Sequence, residues 1–470
     1  MGLIGDNFQT ESAGFNSPSM RASGLINGKL ERSQPERDTY RFAHEFATKT
    51  AYWTQRSGKR QLGVDLQSRV FRPDLLLVQT QIVARHGIRS PSLRTVVAAI
   101  ADCVVGVGQR YPTGGNIREM LALLEKLAPV STALPTWLRN YSLPYNLSIE
   151  GELADTGRQE MRELADRTLR NMGHSSPVEY STNTFKVAHT SVRRTGESAV
   201  SFASAFFSNP TDVQYIEYPE ANDTLLRFFD RCPRYQREVK TNKTALAQAS
   251  LFAEAPLVAH EIDALKKSLG LTDHNVTFSF KDLSAVYTAC AFDFALYNRT
   301  SDWCSLMTES FVRALDFSDD LHEFYLIGGG YKINYEMAAL LLRELFGSMK
   351  AAAAGSTKQQ GTFYFAHAET TLPLMTLMGY GDRTLLKADF TVDEIRKRSF
   401  RTSRLAPFAA NVEFRLYRRA SNSSAYVVQI LANGRQVKVP GCDRIYCSLE
   451  ELEQQWRFYL EEYDFQQDCA

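Results

Sequence analysis

Two apolar stretches of this chain stop abruptly at polar residues capable of chemistry. Leu75–Ala84 (LLLVQTQIVA) begins as a continuous apolar run and then alternates, which predicts a buried strand ending at Arg85-His86-Gly87. Thr362–Ala366 (TFYFA) predicts a second strand, ending at His367-Ala368-Glu369, after a turn at Lys358–Gly361. Apolar positions at helical spacing predict helices over Gly115–Leu127, Gly157–Asn171, Thr195–Phe207, Tyr335–Met349, Thr371–Met378 and Leu449–Glu462. Asn411–Tyr417 and Ala425–Leu431 read as strands, with Ala432-Asn433-Gly434-Arg435 as a hairpin turn. Open α/β sheets bind ligands at the carboxyl ends of their strands, which is where both polar tripeptides fall.

Between Pro219 and Asp320 the pattern is mostly helical, with no convincing buried strand. The expected fold is therefore α/β: a central, mostly parallel sheet flanked by helices, plus a mainly helical cap. The core is assigned to residues 37–218 and 321–470, the cap to 219–320, and residues 1–36 to a disordered leader. A chain of 470 residues is too long for one small core.

Composition adds mainly exclusions. With 44% hydrophobic and 23% charged residues the chain is of ordinary globular type, and a net charge of +1 gives no general attraction to nucleic acid or anionic membranes. Any polyanionic partner must be held by locally clustered Arg and Lys. No apolar run nears the roughly 18–20 residues of a membrane span. Met1–Pro35 lacks the basic and apolar regions of a signal peptide, and Asp6 stands where myristoylation calls for Ser or Thr. Against this, Asn-X-Ser/Thr acceptors occur at Asn146, Asn222, Asn242, Asn275, Asn298 and Asn422. Of the seven cysteines, Cys290/Cys304 and Cys442/Cys447 are spaced for short disulfide loops; Cys469 is the expected free thiol. Sequons and cysteine pairs together suggest the secretory pathway: endoplasmic reticulum lumen, cell surface or extracellular space. An incomplete or alternative start is the expected reconciliation with the missing signal. No zinc-type spacing is present, so no metal and no cofactor are expected.

The chemistry concentrates in Arg85-His86-Gly87-Ile88-Arg89-Ser90-Pro91. Two guanidinium groups match phosphate oxygens, and the imidazole between them can attack phosphorus and carry the phosphoryl group. Gly87 permits close backbone approach and Pro91 stiffens the loop. This segment resembles the signature of the histidine phosphatase superfamily, in its acid phosphatase and phytase branch. The resemblance implies His86 as nucleophile and Arg85 and Arg89 as phosphate ligands. Thr190-Ser191-Val192-Arg193-Arg194-Thr195-Gly196-Glu197-Ser198-Ala199 resembles the family stretch that supplies a further phosphate-binding Arg, here Arg194, with Arg193 pointing elsewhere. His367-Ala368-Glu369 has Ala where much of that branch has Asp, and looks like the multiple inositol polyphosphate phosphatase family. In that family's pattern His367 binds phosphate and Glu369 is the proton donor. The stretches Phe46–Tyr52, Gly157–Arg162, Arg227–Cys232, Cys290–Cys304 and Pro407–Asn411 resemble the same family, with Lys49 a candidate contact for a substrate phosphate.

The resemblance implies a small polyphosphorylated substrate, phytate and lower inositol phosphates, with 2,3-bisphosphoglycerate a second candidate. Neutral His86 would attack phosphorus while Arg85, Arg89, Arg194 and His367 stabilise the oxygens and Glu369 protonates the leaving group. An acidic to neutral optimum follows. A broad-specificity acid phosphatase of the same fold is the alternative enzyme, and an inert inositol-phosphate-binding scaffold the alternative of another class. The remaining histidines, His44, His174, His189, His260, His274 and His322, have no motif around them and read as structural or surface groups. Oligomeric state is not legible.

Overall fold

The computed structural model describes residues 44–55, 72–91, 117–142, 144–145, 151–381 and 383–470; the expected leader, Asn146 and Cys103 lie outside them. Among the described residues eight strands form one sheet: β1 (Leu75–Arg85), β2 (Phe185–Thr190), β3 (Tyr215–Tyr218), β4 (Gly361–Ala366), β5 (Asn411–Arg419), β6 (Asn422–Ala432), β7 (Arg435–Val437) and β8 (Tyr446–Ser448). The spatial order is β3-β2-β4-β1-β5-β6-β7, with β8 beside β6. Strands β3, β2, β4 and β1 are mutually parallel, while β5 runs against both β1 and β6. Most of the strands thus share one direction, and the parallel half is the half that carries the candidate residues.

Alternation along the central strands explains the layering. Ile82, Ala84, Val187, Phe363 and Phe365 enter one core cluster, whereas Val83, Ala188, Tyr364 and Ala366 enter another. Successive side chains point to opposite faces, so a strand covered on both sides is largely apolar on both, with Gln79, Thr80 and Gln81 the buried polar exceptions in β1. The first face is covered by α1 (Asp155–Asn171), through Met161, Leu164 and Ala165, and by α2 (Arg193–Phe206), through Phe202 and Phe206. The other face is covered by α5 (Ala339–Ala353) and α6 (Ala368–Leu377), and the intervening helices α3 (Phe280–Tyr297) and α4 (Glu309–Leu326) extend its core. Between Tyr218 and Gly361 the described residues contain helices and no strand. Phe252, Phe292 and Phe317 from that stretch belong to the same buried cluster as Val83 and Tyr364.

The predicted Asn433-Gly434 turn joins β6 to β7, with φ of 51° and 75°, the left-handed pair a two-residue hairpin requires. Two predicted helices are interrupted. Tyr335–Met349 divides into Lys332–Glu336 and α5, and Leu449–Glu462 into Leu449–Gln455 and a wider turn over Phe458–Glu462.

Cys290–Cys304 and Cys442–Cys447 are disulfides, as their spacing suggested. Cys469 is not free: it is bonded to Cys232, across a sequence separation of 237 residues. Three disulfides mark a protein that matures in an oxidising compartment. Asn222, Asn242, Asn275, Asn298 and Asn422 are all exposed. Among the described residues no helix is long and apolar enough to cross a membrane.

Candidate active site

Strands β1 and β4 pair in parallel with Arg85 opposite Ala366, so the next residues, His86 and His367, leave the sheet side by side. The His86 backbone N–H donates to the Ala366 carbonyl at 3.0 Å, and the two imidazole rings lie 5.8 Å apart, edge to face. Both residues are buried, at 3% and 4% exposure, as is Arg85 at 6%.

The two backbone N–H groups that follow His86 both donate to side chains. Gly87 N–H donates to Ser198 Oγ (3.3 Å) and Ile88 N–H to the Glu160 carboxylate (3.0 Å). The other Glu160 oxygen accepts from Tyr52 N–H at 2.9 Å, so one buried side chain ties the His86 turn to the Phe46–Tyr52 segment. Burial pushes the Glu160 carboxyl up to about 8, against these hydrogen bonds. Gly87 and Gly157 meet backbone to backbone: a Cβ on Gly87 would lie 2.7 Å from Gly157 Cα.

His86 Nδ1 sits 2.8 Å from the Gly87 carbonyl oxygen. A carbonyl can only accept, so Nδ1 carries the proton and Nε2 is left with its lone pair. Burial, then Arg194, Arg85, His367 and Arg89, hold the His86 pKa well below its usual value, which keeps the ring neutral. Arg85 donates to the carbonyls of Thr48 (2.7 Å) and Ala406 (2.6 Å) and stacks on Phe408, with its carbon 4.6 Å from the ring centroid. Burial lowers the Arg85 pKa to about 10, still cationic at any physiological pH. Arg89 donates to Ser90 O at 2.9 Å.

Arg194 stands in the first turn of α2, its guanidinium 3.4 Å from His367 Nδ1. Arg193 faces away, paired with Glu152 and Glu197. His367 is the N-cap of α6 and Glu369 lies in that helix's first turn, exposed, with its charge felt by Arg85, Tyr235 and Glu323. Burial, then Arg194, Arg227, Arg85 and Arg89, also depress the His367 pKa strongly. Lys49 is brought to the margin of this group but is engaged: its ammonium meets Asp319 at 2.5 Å and lies over the Tyr287 ring.

Several residues here escaped the sequence reading. Thr190 bonds to the His367 ring and Thr195 to Thr190, Glu160 holds the turn, and Phe408 backs Arg85. Glu323, on α4, is pushed up to about 8 by burial and then by Glu369. Arg227 acts on His367 electrostatically while paired with Asp230, and Phe229 lies 6.5 Å from the His367 ring. Glu160, Arg227 and Phe229 fall inside stretches already singled out; the two threonines flank Arg194. Among the described residues no group of His, Cys, Asp and Glu is arranged to hold a metal ion.

Two imidazoles and three arginines converging at the carboxyl edge of a parallel sheet define a class of protein. Residues 76–433 match the family model of the histidine phosphatase superfamily (branch 2), and the chain belongs to that family, whose members are phosphoric monoester hydrolases. Among curated relatives it is similar to multiple inositol polyphosphate phosphatase 1 of Gallus gallus, 28% identical over 381 residues covering 77% of this chain and 82% of that protein. The Homo sapiens protein of the same name is 26% identical over 393 residues, covering 77% of this chain and 79% of the relative. Among solved structures, the phytase from D. castellii superposes with a TM-score of 0.71 at 16% identity, over 94% of this chain and 90% of that one. The Bifidobacterium longum multiple inositol polyphosphate phosphatase complex with inositol hexasulfate gives 0.59 at 16% identity, over 87% and 97%.

Proposed function

We propose that this chain hydrolyses inositol polyphosphates, phytate and its lower phosphates, through a phosphohistidine on His86. The observation that carries the reading is the fixed tautomer of His86, with its Nε2 lone pair available among Arg85, Arg89, Arg194 and His367.

The Nε2 pair attacks phosphorus in line with the ester oxygen, forming the N–P bond as the P–O bond breaks. The three guanidinium groups hold the equatorial oxygens, where charge accumulates. Glu369 gives its proton to the departing alkoxide, and its carboxylate then takes a proton from water. That water oxygen attacks phosphorus, the N–P pair returns to His86, and inorganic phosphate leaves with Glu369 protonated again. Residues 219–320 serve as the cap that shapes the pocket, since Arg227, Phe229 and Tyr235 approach the site from that stretch. Lys49 contributes its positive field beside Asp319. The same constellation suits 2,3-bisphosphoglycerate, and the disulfides with the exposed sequons favour the secretory lumen, cell surface or extracellular space.

The test is product analysis on phytate, 2,3-bisphosphoglycerate and para-nitrophenyl phosphate for wild type, His86→Ala and Glu369→Gln. Turnover of phytate that is abolished in H86A, with E369Q impaired on phytate far more than on the activated nitrophenyl ester, supports the scheme. Turnover of the nitrophenyl ester alone would indicate a broad acid phosphatase, and binding without turnover an inert member.

A further inference from the structure

The hydrogen bonds of His367 run in a fixed direction. Its Nδ1 faces the Arg194 guanidinium at 3.4 Å, and a guanidinium has no acceptor, so the neutral ring keeps its lone pair on Nδ1 and its proton on Nε2. Nε2 lies 3.0 Å from Thr190 Oγ1, which therefore accepts and must pass its own proton on. Thr195 Oγ1, at 2.9 Å, takes it. The Thr195 hydroxyl in turn ends on the carbonyl of Val192 at 2.6 Å, with that of Thr190 at 2.9 Å, and carbonyls only accept. Both threonines are fully buried, so no solvent competes for these bonds.

We propose that Thr190 and Thr195 are positioning residues that lock the His367 proton on Nε2, so that an anion entering the site is bound together with one proton. The inference rests on the phosphatase reading, in which the anion sits among Arg85, Arg89 and Arg194. With Nε2 committed to Thr190, only Nδ1 can face the phosphoryl oxygens. Bare, that nitrogen offers a lone pair against negative oxygen; carrying a proton, it donates. Arg194 from α2, Arg85, Arg89 and His86 from the β1 end, and Arg227 surround the ring, and Glu369 lies two residues along its own helix. A dianion reverses that local balance of charge, and the proton comes from solvent onto Nδ1, where it is shared with the bound oxygen.

Inorganic sulfate is a suitable probe because it stays a dianion from about pH 5 to about pH 8, the range in which a histidine switches charge. Sulfate binding is measured by calorimetry in the His86→Ala protein, which removes the other titrating imidazole. Uptake of one proton makes the dissociation constant rise about tenfold per pH unit. Adding Thr190→Val frees Nε2 from its acceptor, lets the neutral ring present Nδ1–H, and flattens this slope; Thr190→Ser restores it. A flat slope in H86A, or equal slopes for the Val and Ser variants, overturns the inference. Failure of the phosphatase reading shows separately, as wild-type protein that turns over no phosphomonoester.

Discussion

The contact between Gly87 and Gly157 gives the most demanding test of how the proposed nucleophile, His86, is held. In Gly87→Ala the new Cβ would lie 2.7 Å from Gly157 Cα, and in Gly157→Ala it would lie 2.7 Å from Ile88 N. Carbon atoms in contact normally stand about 3.5–4.0 Å apart, so a gap of about 0.8 Å or more has to open. The α1 side resists, because Glu160 on that helix grips both Ile88 N–H and Tyr52 N–H. The displacement therefore falls on the turn containing His86. Overpacking of this kind costs about 1–3 kcal/mol of stability. A misplacement of about 1 Å at a reacting group costs about 10²-fold in rate, so kcat should fall by about that factor. KM should rise as well, since Arg89 moves with that turn, but by less, because Arg85 on β1 and Arg194 on α2 stay in place. Steady-state kinetics on phytate with thermal unfolding of G87A, G157A and the double variant check this. One opened gap relieves both clashes, so the double variant should cost less than the sum of the singles. A G87A protein with unchanged kcat and unchanged Tm would refute the reasoning.

Two further outcomes follow from the buried charges. The proposed mechanism needs neutral His86, whose pKa is held well below 6.5 by burial and then chiefly by Arg194. Arg194→Ala should therefore move the acid limb of kcat/KM upward toward 6.5, besides lowering its plateau, as a pH–rate profile would show. His322, buried on α4, has its pKa lowered to about 4 by burial and then Lys49. Its folded value lies below the unfolded one, so its stabilising contribution is complete above pH 6.5 and lost as pH falls toward 4. That loss amounts to about 3 kcal/mol, and His322→Gln should flatten the acid dependence of the urea midpoint by a corresponding amount.

Strands β1 and β4 were legible because each is an apolar run cut short by chemistry, a purely local signal. Strand β2 (FKVAHT) was not: Lys186 and His189 break its apolar pattern, and its burial depends on β3 and β4 lying on either side. With β2 unread, Thr190 and Thr195 had no visible relation to His367. Helix α6 starts at Ala368, earlier than expected, because Pro373 within it reads as an early-turn residue rather than an interior one. The Cys232–Cys469 bond was illegible for a different reason: proximity across 237 residues is a property of the fold and leaves no trace in spacing. The candidate site residues were readable one by one, whereas the groups that aim them (Glu160, Ser198, the threonines and the Gly87 carbonyl) belong to other elements or to the backbone.

The strand order carries a consequence for how the protein comes into being. In space β4 lies between β1 and β2, yet it is synthesised last of the three, after the whole helical stretch that follows β3. Until residues 361–366 emerge from the ribosome, Ile82-Val83-Ala84 and Val187-Ala188 border an unfilled slot, each offering a bare strand edge. A nascent chain in that state can form β2–β3 and α1–α2 contacts but is exposed to pairing with other chains. Under the proposed function it is also inactive, because the same late strand that fills this slot delivers His367. Filling of the slot and arrival of His367 thus coincide in one event, the insertion of six residues between two waiting strands, while the other edge of β1 waits for β5.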